Sequence, residues 1–382
     1  MNIFQLAWRN IGRNRRRTIS TVGAMALALL LCVLYSTMVT GMLNGMEEGV
    51  VEVGVGDIQL HEPGYLDRPS IYDRIQNVDA LIDTIHSHGF LASPRLTGSS
   101  LLAANDTAIG GALYGVDTVL DSQVSIIPDR VDEGQWLDPS DPNGVVVGRR
   151  AARALSLEVG DELVALGQAA DGSMANDLFT VRGILSPISD GIDRAGVFLH
   201  TGTFRDYFVV PTGVHQIIVR RPSGEELDPA AATVATLAPH LDVKTWRQLN
   251  PTFAQFMDAA SQAVFIIAFI LYLLVAIVIV NAMLMSVFER IKEFGVLKAI
   301  GVGPYQVVSL ILVETLMQAA IATAIGAAVG GGLVGYFQSI GGIPIDFMAG
   351  MSLMGQSLQD TLPVTSTAAA LILPVILLVV FA

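Results

Sequence analysis

The run from Ala263 to Phe288 is apolar throughout except for Asn281 and Ser286. About twenty such residues are enough for a helix to cross the hydrocarbon core of a bilayer. At Glu289 the pattern switches abruptly to ERIKEFGVLKAIG, and another apolar run begins near Val307. Within the switch, Phe288, Ile291, Gly295 and Lys298 recur at helical spacing, with Phe294, Leu297 and Gly301 beside them. The pattern predicts a membrane helix, a short amphipathic helix at the membrane surface, and a second membrane helix. Such a surface helix is placed to push on, or be pushed by, a soluble partner. A plain charged turn between two spans is the simpler alternative.

Composition supports a membrane protein. Of 382 residues, 52% are hydrophobic and only 15% charged, with mean hydropathy +0.55. Ordinary soluble domains carry about 25% charged residues. Charge is unevenly placed: residues 46–257 hold 29 acidic and 14 basic residues, whereas the first 17 hold five arginines and no acid. That balance lacks the basic footprint of a nucleic-acid binder. The single cysteine, Cys32, allows no intramolecular disulfide and no cysteine-based metal site. Within its apolar run it reads as a small buried hydrophobe.

In chain order, residues 1–17 read as an amphipathic lead-in helix with Ile3, Phe4, Ala7, Trp8 and Ile11 on one face. Its arginines, Arg9, Arg13, Arg15, Arg16 and Arg17, place this end in the cytoplasm by the positive-inside bias. Residues 18–46 form an uncleaved first span, with Ala24 and Ala28, then Gly41 and Gly45, offering small-residue spacings for close helix contact. Residues 47–257 read as an α+β domain on the opposite side. The pattern predicts strands over 57–61, 101–104, 112–116, 145–147, 163–166, 179–184, 197–199 and 216–220. It predicts helices over 78–86, 149–155 and 228–237. The second span is 263–288, the surface segment 289–301 and the third span 307–337, where Gly326, Gly330, Gly331 and Gly335 form two i, i+4 pairs. Glu314 lies about two turns inside that span. An ionisable group there is costly and points to a role, with a carboxylate that snorkels to the interface as the alternative. Residues 338–363 form an outer loop. A fourth span starts near Ser366, and its apolar run up to Ala382 predicts that the natural chain continues further. The fold class expected is thus four transmembrane α-helices with a large α+β domain between the first two.

SVFERIKEFGVLKAIG resembles the coupling segment of the FtsX/MacB/LolC-type ABC permease family, and LAWRNIGRNRRRT resembles its lead-in. Within the domain, GVDTVLDSQVSIIPDRVDEGQWL, GVVVGRRAARALSLEVGDELVAL and LFTVRGI are similar to the lipoprotein-releasing branch, LolC/LolE. The resemblance implies a permease in the bacterial inner membrane with its large domain in the periplasm. It implies a second permease copy or paralogue and two cytoplasmic ATPase subunits that bind the ATP and magnesium. It also implies a domain split into parts near 46–105 plus 200–257 and 106–199. Phe288, Glu289, Arg290, Ile291, Lys292, Glu293, Phe294, Gly295, Leu297, Lys298 and Gly301 would then meet the ATPase. The cargo implied is an acylated lipoprotein drawn from membrane lipid. Val39, Met42, Met46, Phe256, Met257, Phe265 and Phe269 are the expected acyl-chain contacts, with ordinary helix packing as the alternative. One paralogue of that branch captures a periplasmic chaperone on a loop whose counterpart here is Gly167 to Asp177, including Met174. This loop is short and without proline, and a plain hairpin explains it equally well. A MacB-like efflux permease working with an adaptor, and an FtsX-like regulator of a cell-wall hydrolase, remain open.

The chain has no GxxxxGK[ST] loop to cradle nucleotide phosphates, no GxSxG and no HExxH. His86 and His88, two apart on a predicted helix, point to different faces. No catalytic constellation, cofactor site or metal site is expected in this chain.

Overall fold

The structure, a computed structural model, describes residues 3–13, 15–299 and 301–344 and the pairs 352–353, 356–357 and 361–362. It contains a helical unit, made of the chain up to Gly45 and from Phe256 onward, and an α/β unit, Met46–Gln255.

The lead-in forms α1, Ile3–Arg13, and the first span forms α2, Arg15–Val50. Thr18 Oγ1 donates to the Ile11 carbonyl at 3.0 Å, tying the start of α2 to α1. The predicted apolar face of α1 divides: Ala7 and Ile11 are buried, while Phe4 and Trp8 are exposed. At 1.5 Å per residue, α2 is about 54 Å long, well beyond a bilayer core of about 30 Å. Its buried face is Val22, Met25, Ala26, Leu29 and Val33, not the Ala24/Ala28 face expected from small-residue spacing; Ala24 is exposed. A π-helical turn, Val51–Val55, ends the helix, with Gly54 at φ 101°.

The α/β unit follows. Its elements are β1 (Ile58–His61), α3 (Val78–Ser87), β2 (Leu91–Ala104), β3 (Thr107–Val116), α4 (Thr118–Val124), β4 (Val131–Gly134), β5 (Gly144–Val147) and α5 (Arg149–Leu155). Then come β6 (Glu162–Gln168), β7 (Met174–Leu185), α6 (Asp190–Ala195), β8 (Gly196–His200), α7 (Thr201–Phe208), β9 (Gln216–Arg220), α8 (Leu227–Leu237), β10 (Asp242–Thr245) and α9 (Trp246–Leu249). The strands form one sheet in the order β10-β1-β9-β2-β3-β8-β5-β7-β4, with β6 pairing both β2 and β7. The β3–β8 and β5–β7 pairs are parallel, so the sheet is mixed. The long β2–β3 hairpin carries hydrogen bonding across the division expected near residue 105, so strands from both parts share one sheet. Its core joins Ile58, Leu60, Leu96, Leu113, Val145, Val181 and Phe204. Tyr65 stacks on His61 and on His215, with ring centroids 5.3 and 5.9 Å away.

The remaining helices are α10 (Pro251–Glu289), α11 (Ile291–Ala299) and α12 (Pro304–Ser339). Helix α10 begins twelve residues before the span expected at 263, and Phe265, Phe269, Leu273 and Ile277 along it are exposed. The buried stripe of α12 runs Leu310, Glu314, Gln318, Ala322, Gly326, Gly330 and Val334, close to one i, i+4 row. Gly326 lies against α2: a Cβ there would sit 2.9 Å from the Ala26 carbonyl oxygen and 3.1 Å from Leu29 Cβ. Gly330 faces Val33, whereas a Cβ at Gly331 or Gly335 would meet nothing within 4 Å. One of the two expected glycine pairs is therefore at a helix contact and the other is not. Among the described residues three helices are long and apolar enough to cross a membrane. The fourth expected span, 366–382, lies outside the described residues. Within the 338–363 loop, Ile343–Pro344 pairs antiparallel with Thr361–Leu362.

Candidate functional site

The ERIKEFGVLKAIG segment folds as predicted into a short helix between two long ones. Helix α10 stops at Glu289, α11 starts at Ile291, and Arg290 occupies the break, its N–H donating to the Val287 carbonyl at 3.1 Å. The far end closes at Gly301, whose N–H donates to the Lys298 carbonyl at 3.1 Å. Gly301 has φ +89°, a backbone region costly for residues with a Cβ. Gly303 then caps α12, and Pro304 stands in its first turn, where a missing N–H costs nothing.

Four charged side chains organise this region. Arg290 donates from Nη1 to Glu314 Oε2 at 2.6 Å and from Nε to Glu293 Oε2 at 2.9 Å. Arg13 donates from Nη2 to Glu293 Oε1 at 3.0 Å. The network thus touches α1, the α10–α11 break, α11 and α12. The Arg290 and Glu314 side chains are 14% and 6% exposed, while those of Arg13 and Glu293 are 77% and 46% exposed. Glu314 is therefore a buried partner of Arg290, not a carboxylate that snorkels to the interface.

Phe288, Glu289, Ile291, Lys292, Gly295, Val296 and Lys298 are exposed. Nothing lies within 4 Å of a Cβ built on Gly295. The side chains of Phe294 and Leu297 lie outside what is described. Val296, 64% exposed, is an apolar surface residue that the helical-spacing argument passed over. The structure so brings Arg290, Glu293 and Glu314 together and leaves Phe288, Ile291, Gly295 and Val296 facing outward.

The other predicted sites are dispersed. Met42, Phe265 and Phe269 are exposed, Val39, Met46 and Phe256 are half-buried, and Met257 is buried. The expected eleven-residue loop from Gly167 to Asp177 is mostly β-ladder: Gly167 pairs with Ala175 and Gln168 with Met174, leaving Ala169–Ser173 as the turn. Met174, beside the turn, is 79% exposed. His86 Nε2 accepts from the Ala92 N–H at 3.2 Å and His88 Nδ1 donates to the Thr84 carbonyl at 2.9 Å, so both bond locally. Among the described residues no group of His, Cys, Asp and Glu is placed to hold a metal ion.

A second charged site, which sequence reasoning missed, lies where α2 passes into the α/β unit. Arg95 donates from Nε to Asp121 Oδ1 at 2.7 Å and from Nη1 to the Gly54 carbonyl at 2.9 Å; both side chains are buried. Asp57 meets Arg220 at 3.3 Å and Arg221 at 3.1 Å, and Arg221 also reaches Glu47 at 2.8 Å. No spacing rule links residues 54, 95 and 121, because the sheet alone brings them together.

These features define a polytopic membrane subunit with a charged, exposed helix between two long helices and a large α/β domain. Comparison with known proteins agrees. Residues 18–237 match the MacB-like periplasmic core domain, and residues 265–382 match the FtsX-like permease C-terminal domain. The chain belongs to the FtsX/MacB/LolC-type family of ABC transporter permeases. It is 22% identical over 330 residues to an uncharacterized ABC transporter permease of Methanocaldococcus jannaschii, covering 82% of this chain and 79% of that one. It is also 22% identical over 325 residues to the lipoprotein-releasing system transmembrane protein LolC of Neisseria meningitidis serogroup B, covering 80% and 76%. The periplasmic region of MacB from Actinobacillus actinomycetemcomitans superposes with a TM-score of 0.39 at 14% identity, covering 53% of this chain and 94% of that one.

Proposed function

We propose that this chain is the permease subunit of an ABC transporter that extracts acylated lipoproteins from the bacterial inner membrane for transfer to the outer membrane. The observation that carries the transport reading is α11, a short helix with an outward-facing apolar and charged surface, tied by Arg290 to Glu314 on α12. Two cytoplasmic ATPase subunits, binding ATP and magnesium, dock on α11 of two permease copies. Hydrolysis moves the helices, and the helices move the domain. The arginines of α1 place α11 in the cytoplasm and the α/β unit in the periplasm. The likeness to LolC supports lipoprotein as the cargo. Acyl chains then meet the exposed apolar surfaces of α2 and α10, where Met42, Phe265 and Phe269 lie. The Ala169–Ser173 turn, with Met174 beside it, is the place for a periplasmic chaperone.

A second reading rests on the match to a MacB-like periplasmic core: a permease that drives a periplasmic adaptor for efflux. Purification of the full chain with its bound partners separates the two. An ATPase with an acylated protein, released on addition of ATP, supports lipoprotein extraction. An ATPase with a periplasmic adaptor and no acylated protein overturns it in favour of efflux. A cell-wall hydrolase retained without any cargo overturns both.

A further inference from the structure

We propose that Arg290 and Glu314 are positioning residues that fix the angle of α11 on α12, so that a push on α11 is delivered to α12 and, through Glu293 and Arg13, to α1. The inference deepens the transport reading and rests on α11 being the segment the ATPase touches.

Helix α11 has only nine residues, Ile291–Ala299. Isolated helices of that length are marginal in water, so packing and tertiary bonds set its orientation. Much of its surface faces outward: Ile291, Lys292, Gly295, Val296 and Lys298 are all exposed. The segment also changes direction twice, once at Arg290 between α10 and α11 and once at Gly301 before α12. A helix joined to its neighbours only through two turns would rock under load. Arg290 acts against such rocking from within the first turn. Its guanidinium bonds Glu293 on α11 and Glu314 on α12 at once.

The two ends of this network differ in kind. Arg290–Glu314 is largely withdrawn from solvent, with side chains 14% and 6% exposed. A charge-assisted hydrogen bond so withdrawn from water is short and directional, which suits it to holding an angle. Arg13–Glu293 is solvent-exposed, at 77% and 46%. Pairs of that sort are worth little in isolation and yield easily. The geometry therefore points to a stiff link from α11 to α12 and a compliant one from α11 to α1.

The polar end of the α12 stripe agrees with this division. Glu314, Thr315 and Gln318 are buried where α12 nears the network, and further along the stripe turns to Ala319, Ala322, Gly326 and Gly330. Displacement received at Glu314 passes along one continuous helix to the α2 contact at Gly326.

The test uses the full chain in lipid nanodiscs, alone and with its ATPase. Spin labels at the exposed positions Val296 and Val308 report the α11–α12 distance. Arg290→Met removes the guanidinium from a buried carboxylate and lowers the yield of folded chain. The double variant Arg290→Met/Glu314→Met removes both charges and recovers that yield, since a buried pair replaced by apolar groups is often neutral for stability. The expected result is a broadened distance distribution in the double variant. Cargo-stimulated ATP turnover falls about tenfold, the scale of one lost charge-assisted bond, while ATPase retention is unchanged. Arg290→Lys, which keeps a cation opposite Glu314, restores the narrow distribution. A double variant with the wild-type distribution overturns the positioning role, whatever the ATPase does. A broadened distribution with unchanged turnover overturns the transmission. If the wild-type chain retains no ATPase, the transport reading and the transmission fall together, and the distances still decide whether Arg290 and Glu314 set the angle.

Discussion

Arg95 donates to the carbonyl oxygen of Gly54 at 2.9 Å, joining the middle of the sheet to the π turn that ends α2. The same guanidinium is paired with Asp121, and both side chains are buried. Removing one partner of a buried pair typically costs about 3–5 kcal/mol, because the other charge stays buried. Arg95→Leu is thus expected to destabilise the α/β unit by that order, read as the midpoint of urea unfolding followed by tryptophan fluorescence. Arg95→Leu/Asp121→Leu should recover most of it. A double variant as unstable as the single one would mean that the pairing with Asp121 is not what Arg95 contributes.

The crossing of α2 and α12 leaves no room for a side chain at Gly326, where an added methyl carbon would lie 2.9 Å from the Ala26 carbonyl oxygen. Overpacking a tight contact costs about 1–3 kcal/mol. Gly326→Leu is expected to lower the melting temperature of the detergent-solubilised chain, and Gly331→Leu, with nothing within 4 Å of its Cβ, to leave it alone. Equal effects at both glycines would contradict the crossing.

Acid should loosen the α/β unit through its histidines. Burial pushes the His61 imidazole down from 6.5 to about 4 and pushes His215 down as well. His215 Nδ1 accepts from the Thr97 N–H at 2.9 Å and its Nε2 donates to the Ile71 carbonyl at 3.2 Å, a pattern only the neutral ring can make. A base whose pKa falls on folding binds more protons unfolded than folded. Stability is therefore full above about pH 6.5 and declines as pH falls toward 4, by roughly 3 kcal/mol for His61 alone. Urea unfolding midpoints at pH 7.5 and 5 measure it. A His61→Gln variant should show a smaller drop, and an unchanged drop would assign the acid sensitivity elsewhere.

Docking of the ATPase is expected to be sensitive at Gly295. A side chain there meets nothing in this chain, so Gly295→Trp should fold normally. A bulky group at the centre of an interface costs about 2 kcal/mol or more, or roughly thirtyfold in affinity. The measurement is ATPase retention on the purified permease. Wild-type retention by Gly295→Trp combined with Glu293→Arg would reduce α11 to a connecting loop.

What the sequence made legible was periodic. The apolar runs fixed the long helices, and GVVVGRRAARAL marked β5 and α5 to the residue or nearly so. Strand β2 was half seen, at 101–104, because Pro94 and Gly98 interrupt the pattern of a strand that begins at Leu91. Short helices such as α4 and α6 carry too few residues for a period to show. The surface segment was legible because charge and apolar runs alternate there. Its network was not: residues 13, 290, 293 and 314 are related only by tertiary structure, and a lone glutamate in an apolar run looks the same whether paired or snorkelling. The Ala24/Ala28 expectation failed for a related reason. Small residues permit close approach, but Met25, Ala26 and Leu29 are what face α12.

The point where Ala26 touches Gly326 divides α2 unequally. Along the helix axis Arg15 lies about 16 Å from Ala26 and Val50 about 36 Å, at 1.5 Å per residue. A rod rocking on that fulcrum moves its Val50 end about twice as far as its Arg15 end. Small strokes at the arginine end thus become larger, weaker strokes at the end that runs into the π turn, the trade of force for travel made by any lever with a long output arm.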